Sequence, residues 1–340
     1  MNLKFKIFTN ATIILSVCIY SLNVNAEWFS DEQAIMGTAV SVTLWQDDKA
    51  EADAAIGAVM DEMRRVDQWL SPYIETSELA QINREAAKST VTISKDLAEI
   101  IDKALYYSRL SDGAFDISFA SVGRFYDYRE QQKPADAQRQ ALLEAIDYHL
   151  IEFDKQHSTL HFNHPELKID LGGIAKGYAV DKAIALLYAR GIRNASVSAG
   201  GDSRLLGDRG NNKPWHVGIK NPRGDRRATE VAIMLPLANV AVSTSGDYER
   251  FFIDNETGER VHHILNPRTG QSTHGVASVT ILGPQGFDTD PLSTTVFVLG
   301  VEKGLPLINR LPGFDAIIID SAGNVHYSEG LTPPVQTTEN

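Results

Sequence analysis

The chain has 340 residues, a formal net charge of −12 and a single cysteine, Cys18. An acidic surface of this kind argues against a nucleic-acid partner, and one cysteine excludes both a disulfide framework and a thiolate metal site. With 43% apolar residues, the chain can bury a large core, as one big domain or two small ones.

Residues 1–26 read as a secretory leader. Lys4 and Lys6 precede the apolar run ATIILSVCIYSL, and NVNA offers small residues for cleavage before Glu27. That run is shorter than the ~20 residues a membrane-spanning helix needs, so a cleaved leader is favoured over an anchor. Cys18 invites a lipoprotein reading, but Val17 is bulky and the apolar run continues through IYSL. Cleavage after Ala26 is the expectation, which leaves a mature chain with no cysteine.

Residues 36–45, MGTAVSVTLW, alternate apolar and polar positions as a strand does. Residues 49–70 place Ala52, Ile56, Val59, Met63, Val66 and Leu70 at helical spacing. Ser71 and Pro72 end that helix, a short one starts at Ser77, and another covers 95–111. A polar stretch then leads into a helix ending near Tyr148. Strands dominate from there, near 150–153, 159–162, 167–171, 195–199, 203–207, 215–220, 229–235, 239–243, 250–253, 276–282, 315–320 and 324–327. Helices at 174–190, 288–300 and 303–310 interrupt them. Helices early and strands late give an α+β class. With no internal repeat and no linker, the expected organisation is one domain over 27–331, in two lobes with the site between them. Residues 332–340 are expected to be a disordered tail.

Four segments could carry chemistry. In IDLGGIAKG, Gly172 and Gly173 let backbone approach a ligand, and Lys176 falls in the first turn of a helix, where cation and free N–H groups favour an anion. A plain strand-to-helix turn with a solvated lysine is the alternative. In DTDPLSTT, Asp290 and Thr294 stand four apart, on one helical face, and offer hard oxygens suited to Mg²⁺. Asp290 as N-cap with Pro291 at the first helical position explains the same spacing. His262 and His263 are neighbours in a strand and should face opposite ways, so they would not share a metal. Ser243, Thr244, Ser245 and Gly246 follow an apolar strand and could either meet phosphate or form a turn.

Taken in series, MGT, SPYIETSELAQIN, GAFD, IDLGGIAKGYAVD, SAGGD, PWHVGIKNP, STSGDYERFF, HHILNPRTG and DPLSTTVFVLG resemble the ApbE family of periplasmic FAD:protein FMN transferases. The resemblance runs from about residue 35 to 328. It implies an enzyme that breaks the pyrophosphate of FAD, attaches FMN by a phosphoester to a Thr or Ser hydroxyl of another protein, and releases AMP. The implied acceptors are subunits of membrane redox complexes, such as NADH:quinone oxidoreductase and the Rnf type. Met36, Tyr73, Ala114, Phe115, Asp116, Asp170, Lys176 and Ile264 would bind FAD. Asp290, Thr294 and the carbonyl of Gly173 would hold Mg²⁺. His263 is the first candidate for the base that deprotonates the acceptor hydroxyl, and Asp290 the second.

The chain departs from the family pattern at Thr289 and Pro291, where alanines are usual. Two other readings compete. One is a Mg²⁺-dependent FAD pyrophosphatase, against which the aromatic Tyr73 speaks by resemblance. The other is a flavin carrier without chemistry, which would have no use for the Asp290/Thr294 pair. A generic two-metal phosphoesterase ranks last, because no cluster of acids and histidines is visible.

Overall fold

The computed structural model describes residues 26–224 and 230–331; the expected leader up to Asn25 and the expected tail 332–340 lie outside these residues. Eight strands form the main sheet: β1 (Glu27–Ile35), β2 (Thr38–Gln46), β3 (Ala195–Ala199), β4 (Asp202–Leu206), β5 (Ala241–Gly246), β6 (Val276–Gly283), β7 (Asp315–Asp320) and β8 (Val325–Tyr327). They lie side by side in chain order, and every pairing is antiparallel.

The strand expected at 36–45 is the second arm of a hairpin. Ile35 pairs with Thr38, so Met36 and Gly37 form a two-residue turn with φ of 56° and 68°, which suits the twist of the flanking strands. β1 escaped the sequence reading because it is an edge strand. Of its nine residues only Ile35 is buried, and Glu27, Asp31 and Glu32 blunt the free edge.

Helices α1 (Lys49–Leu70), α2 (Glu78–Glu85) and α3 (Lys95–Leu110) each begin at a capping side chain. Asp48, Ser77 and Ser94 accept hydrogen bonds from the first free N–H groups. Helix α1 stops where Ser71 turns extended, as the residue before a proline does. Helix α4 (Ala175–Ala189) and helix α5 (Gly286–Ile308) complete the layer against the sheet. Gly300, with φ 73° and ψ −177°, splits α5 in two, in agreement with the two helices expected there.

Residues between β2 and β3 build the second lobe from α2, α3, short helices and a small sheet of Val91–Thr92, Thr159–Phe162 and Ile151–Asp154. One hydrophobic core runs through both lobes. Leu160 and Phe162 of the small sheet belong to the same cluster as Val42 of β2 and Leu292 of α5. On the opposite face, the hairpin of Trp215–Lys220 and Val231–Leu237 covers Ile317 and Ile319.

The strand expected at 167–171 is a correction. The segment is extended and buried at alternate positions but joins no sheet. Its polar backbone is satisfied partly by isolated backbone bonds, such as Asp170 N–H to the Ile117 carbonyl, and partly by side chains. Asn83 of α2 bonds both the N–H and the carbonyl of Ile169 (2.8 Å each), and Ser121 accepts from the Lys168 N–H at 3.0 Å. Alternating burial predicted its path but could not name its partners.

Candidate active site

The segment pinned by Asn83 delivers Asp170 to the mouth of a turn. One carboxylate oxygen of Asp170 accepts the Gly172 N–H at 2.6 Å, closing the bend before α4. Gly173 follows against the second lobe: a Cβ there would lie 3.1 Å from the Phe115 ring and 3.4 Å from Thr294 Oγ1. No described donor bonds the Gly173 carbonyl.

Helix α4 has no capping side chain of its own at Ile174. Its missing acceptor comes from α5: the Gly177 N–H donates to Asp290 Oδ2 at 2.9 Å. The favour is returned, because Asp181 of α4 accepts the Gly286 and Phe287 N–H groups at 3.0 and 2.9 Å. Each helix start is thus capped by a carboxylate of the other, where the positive end of a helix dipole favours negative charge. The crossing is close enough that a Cβ on Gly177 would sit 2.0 Å from the Gly286 carbonyl oxygen.

This geometry corrects the expected start of α5. The helix begins at Gly286, with Gln285 at the cap position. Asp290 is therefore not the N-cap, and Pro291 lies inside the helix, where it removes one backbone bond. Asp290 and Thr294 still share a face.

Asp290 and Asp202, each 2% exposed, face one another across Lys176. The Lys176 ammonium lies 2.8 Å from Asp202, 3.4 Å from Asp290 and 3.1 Å from the Gly172 carbonyl. Burial alone would lower the pKa of this lysine, but the two carboxylates overturn that and hold it above its ordinary value. Burial, then the Asp202 charge, pushes the Asp290 carboxyl up, against the pull of Lys176 and the Gly177 N–H. Two carboxylates around one ammonium leave an excess negative charge. Thr294 lies one helical turn beyond Asp290, and the Gly173 backbone packs against it; Asp290, Thr294 and the Gly173 carbonyl would together offer only oxygen, the chemistry a Mg²⁺ ion takes.

The hydroxyls of β5 mostly bond neighbouring elements of the fold, helix α5 and strand β6. Ser243 bonds Thr289 at 2.7 Å, both fully buried, and Thr244 bonds Thr280 at 2.9 Å. Only Ser245 reaches the site, 2.8 Å from Ser293 and 3.5 Å from Thr294. Thr289, one of the two departures from the family pattern, therefore has a structural partner.

His262 and His263 do face opposite ways. His262 is buried and structural: its Nε2 meets the Thr273 carbonyl at 2.7 Å and its Nδ1 accepts from Ile264 N–H. His263 turns toward Lys176 and Arg250, and its Nδ1 has no hydrogen-bond partner. Burial first, then the neighbouring positive charges, lower its pKa to about 3, so the imidazole is neutral at pH 7.

Among the other expected ligand residues, Met36 occupies the hairpin tip, and Ile264 is buried next to His263. Tyr73 is 87% exposed on the loop after α1, within electrostatic reach of Asp170 and Arg250. Burial raises the Asp170 pKa, partly offset by the Gly172 N–H, Arg250 and Lys176. Ala114 is buried beside Phe115. Asp116 has its carboxylate taken up inside the protein, by the Ser118 N–H and hydroxyl and the Tyr148 N–H. Burial raises its pKa to about 6.

A family model described as the ApbE family matches residues 36–318. The chain belongs to the ApbE family. It is 30% identical to an FAD:protein FMN transferase of Treponema pallidum, over 92% of this chain and 90% of that one. A transferase of the same name from Haemophilus influenzae is 32% identical over 73% of each chain. The crystal structure of an ApbE protein from Thermotoga maritima superposes with a TM-score of 0.81 at 31% identity, covering 89% of this chain and 98% of that one. The flavin transferase ApbE from Vibrio cholerae gives 0.79 at 25% identity, over 90% and 98%.

Two residues of this ApbE site were not singled out from sequence. Asp202 stands in the SAGGD motif and Arg250 in STSGDYERFF. The only local signal for Asp202 is an acid placed directly after two glycines. For Arg250 it is a lone cation in an aromatic run.

Proposed function

We propose that this ApbE enzyme transfers FMN from FAD to a Ser or Thr hydroxyl of an acceptor protein, with Mg²⁺ bound at Asp290, Thr294 and the Gly173 carbonyl. The observation that supports this reading is the buried Asp290 on the helical face that also bears Thr294, whose Oγ1 lies 3.4 Å from where a Gly173 Cβ would be. Similarity over most of the chain to named FAD:protein FMN transferases supports the substrate.

In the reaction, the acceptor oxygen forms a bond to the FMN phosphorus, and the bond from that phosphorus to the bridging oxygen breaks. AMP departs with the bridging oxygen. His263, neutral and with Nδ1 unpartnered, takes the hydroxyl proton. Phosphoryl transfer depends chiefly on positioning and on neutralising the non-bridging oxygens. Bound Mg²⁺ would supply charge for that neutralisation. The Asn83-pinned turn and the paired helix caps fix the positions. Export through the 1–26 leader to the periplasm, with acceptors among subunits of membrane redox complexes, completes the reading.

The test is incubation of the mature protein with FAD, Mg²⁺ and a candidate acceptor domain, followed by in-gel flavin fluorescence. A fluorescent acceptor with released AMP supports transfer. Free FMN with AMP points to a pyrophosphatase, and intact FAD to a carrier. Asp290→Ala is expected to abolish labelling while FAD binding weakens only in part; unchanged labelling would remove the metal assignment.

A further inference from the structure

We propose that Arg250 grips the pyrophosphate of the bound dinucleotide. This assignment rests on the flavin-transfer reading.

Lys176 looks like the phosphate ligand from sequence, yet all three of its N–H donors have acceptors in the structure: Asp202, Asp290 and the Gly172 carbonyl. To meet a phosphate it would have to leave two buried carboxylates. Arg250 is in the opposite state. Its guanidinium has no hydrogen-bond or ion-pair partner among the described residues, and the side chain is exposed.

The position is equally specific. Phe251 pairs with His262, and the His263 N–H donates to the Arg250 carbonyl at 3.2 Å. Arg250 and His263 are therefore cross-strand neighbours, and their side chains leave the hairpin on the same face. From there the guanidinium reaches the tip of the β1–β2 hairpin, its Nη2 3.4 Å from where a Gly37 Cβ would lie. Its charge is felt by Asp170, Tyr73 and His263 alike. It thus lies within electrostatic reach of both the proposed base and the loop-borne tyrosine.

A pyrophosphate presents several ionised oxygens in a row, and a planar guanidinium can bond two of them at once. A cation that cannot deprotonate, next to the base yet free of a protein partner, suits an anion that arrives with the substrate.

The experiment is a flavin titration of the mature protein, in the presence of Mg²⁺, followed by quenching of flavin fluorescence. Riboflavin, FMN and FAD are compared for the parent, Arg250→Gln and Arg250→Lys. Loss of a charge-assisted bond predicts FAD binding weaker by about tenfold to a hundredfold in Arg250→Gln. Riboflavin, which has no phosphate, should bind the parent and the variant within about twofold, and Arg250→Lys should recover part of the FAD affinity. Unchanged FAD affinity in Arg250→Gln, or an equal loss for riboflavin and FAD, overturns the assignment. A parent that binds no FAD overturns it together with the flavin reading.

Discussion

Gly177→Ala tests whether the helix crossing holds the site together. The added Cβ would lie 2.0 Å from the Gly286 carbonyl oxygen, 2.5 Å from its carbon and 2.7 Å from Asp290 Cβ. Two of these three atoms are backbone and cannot swing aside. An ordinary contact is about 3.5 Å, so the helices must part by roughly 1.5 Å. Overpacking of this kind costs about 1–3 kcal/mol, whereas alanine in place of glycine inside a helix gains about 1 kcal/mol. The expected net is a loss of about 1–2 kcal/mol, read as a lower urea midpoint at unchanged slope. Parting the helices also draws Asp290 off the Gly177 N–H, and a misplacement near 1 Å slows transfer about a hundredfold. Gly57→Ala is the control. It lies on an exposed face of α1 with nothing within 4 Å of the new Cβ, so it should stabilise by about 0.5–1 kcal/mol and leave labelling intact. If Gly177→Ala matches the parent in both stability and labelling rate, the crossing does not organise the site.

Lys176→Met should strand Asp202 and Asp290 as buried charges without a cation, at a cost of about 3–5 kcal/mol. Thermal melts check this, and added Mg²⁺ should raise the melting temperature more in the variant than in the parent; an equal rise in both would deny that lysine and metal serve the same carboxylates. His263 carries a pH prediction. Its folded pKa of about 3 lies below the ordinary 6.5, so between those values the unfolded chain binds a proton that the folded chain refuses. Stability is therefore lost as pH falls through that window. His263→Gln should lose less stability than the parent between pH 7 and pH 4, as measured by urea midpoints, and parallel losses would show that His263 is not held neutral.

Much of the fold is written in local chemistry. Helix α1 shows its core stripe, its Asp48 cap and its Ser71-Pro72 end within one stretch, and Gly300 marks the break in α5. The partners that decide the site are not local. The start of α5 is set by Asp181, more than a hundred residues earlier, so Pro291 misleads when taken as a first-turn residue. The path of 167–171 depends on Asn83 and Ser121, which no periodicity connects to it. Ser243 looks like a phosphate donor until Thr289 is seen to claim its hydroxyl. The Asp290/Thr294 pair was legible because four residues on a helix fix a shared face. Asp202 acquires meaning only when the sheet brings it to Lys176, and Arg250 only when its hairpin sets it across from His263.

The hairpin tip at Met36 and Gly37 has a consequence for how the enzyme comes into being. Its strand β2 finds its next neighbour, β3, only after about a hundred and fifty further residues have been made, and Asp290 comes almost a hundred residues later still. A chain cut short during synthesis therefore owns pieces of a flavin cleft but no working one. Long-range closure of this sort slows assembly.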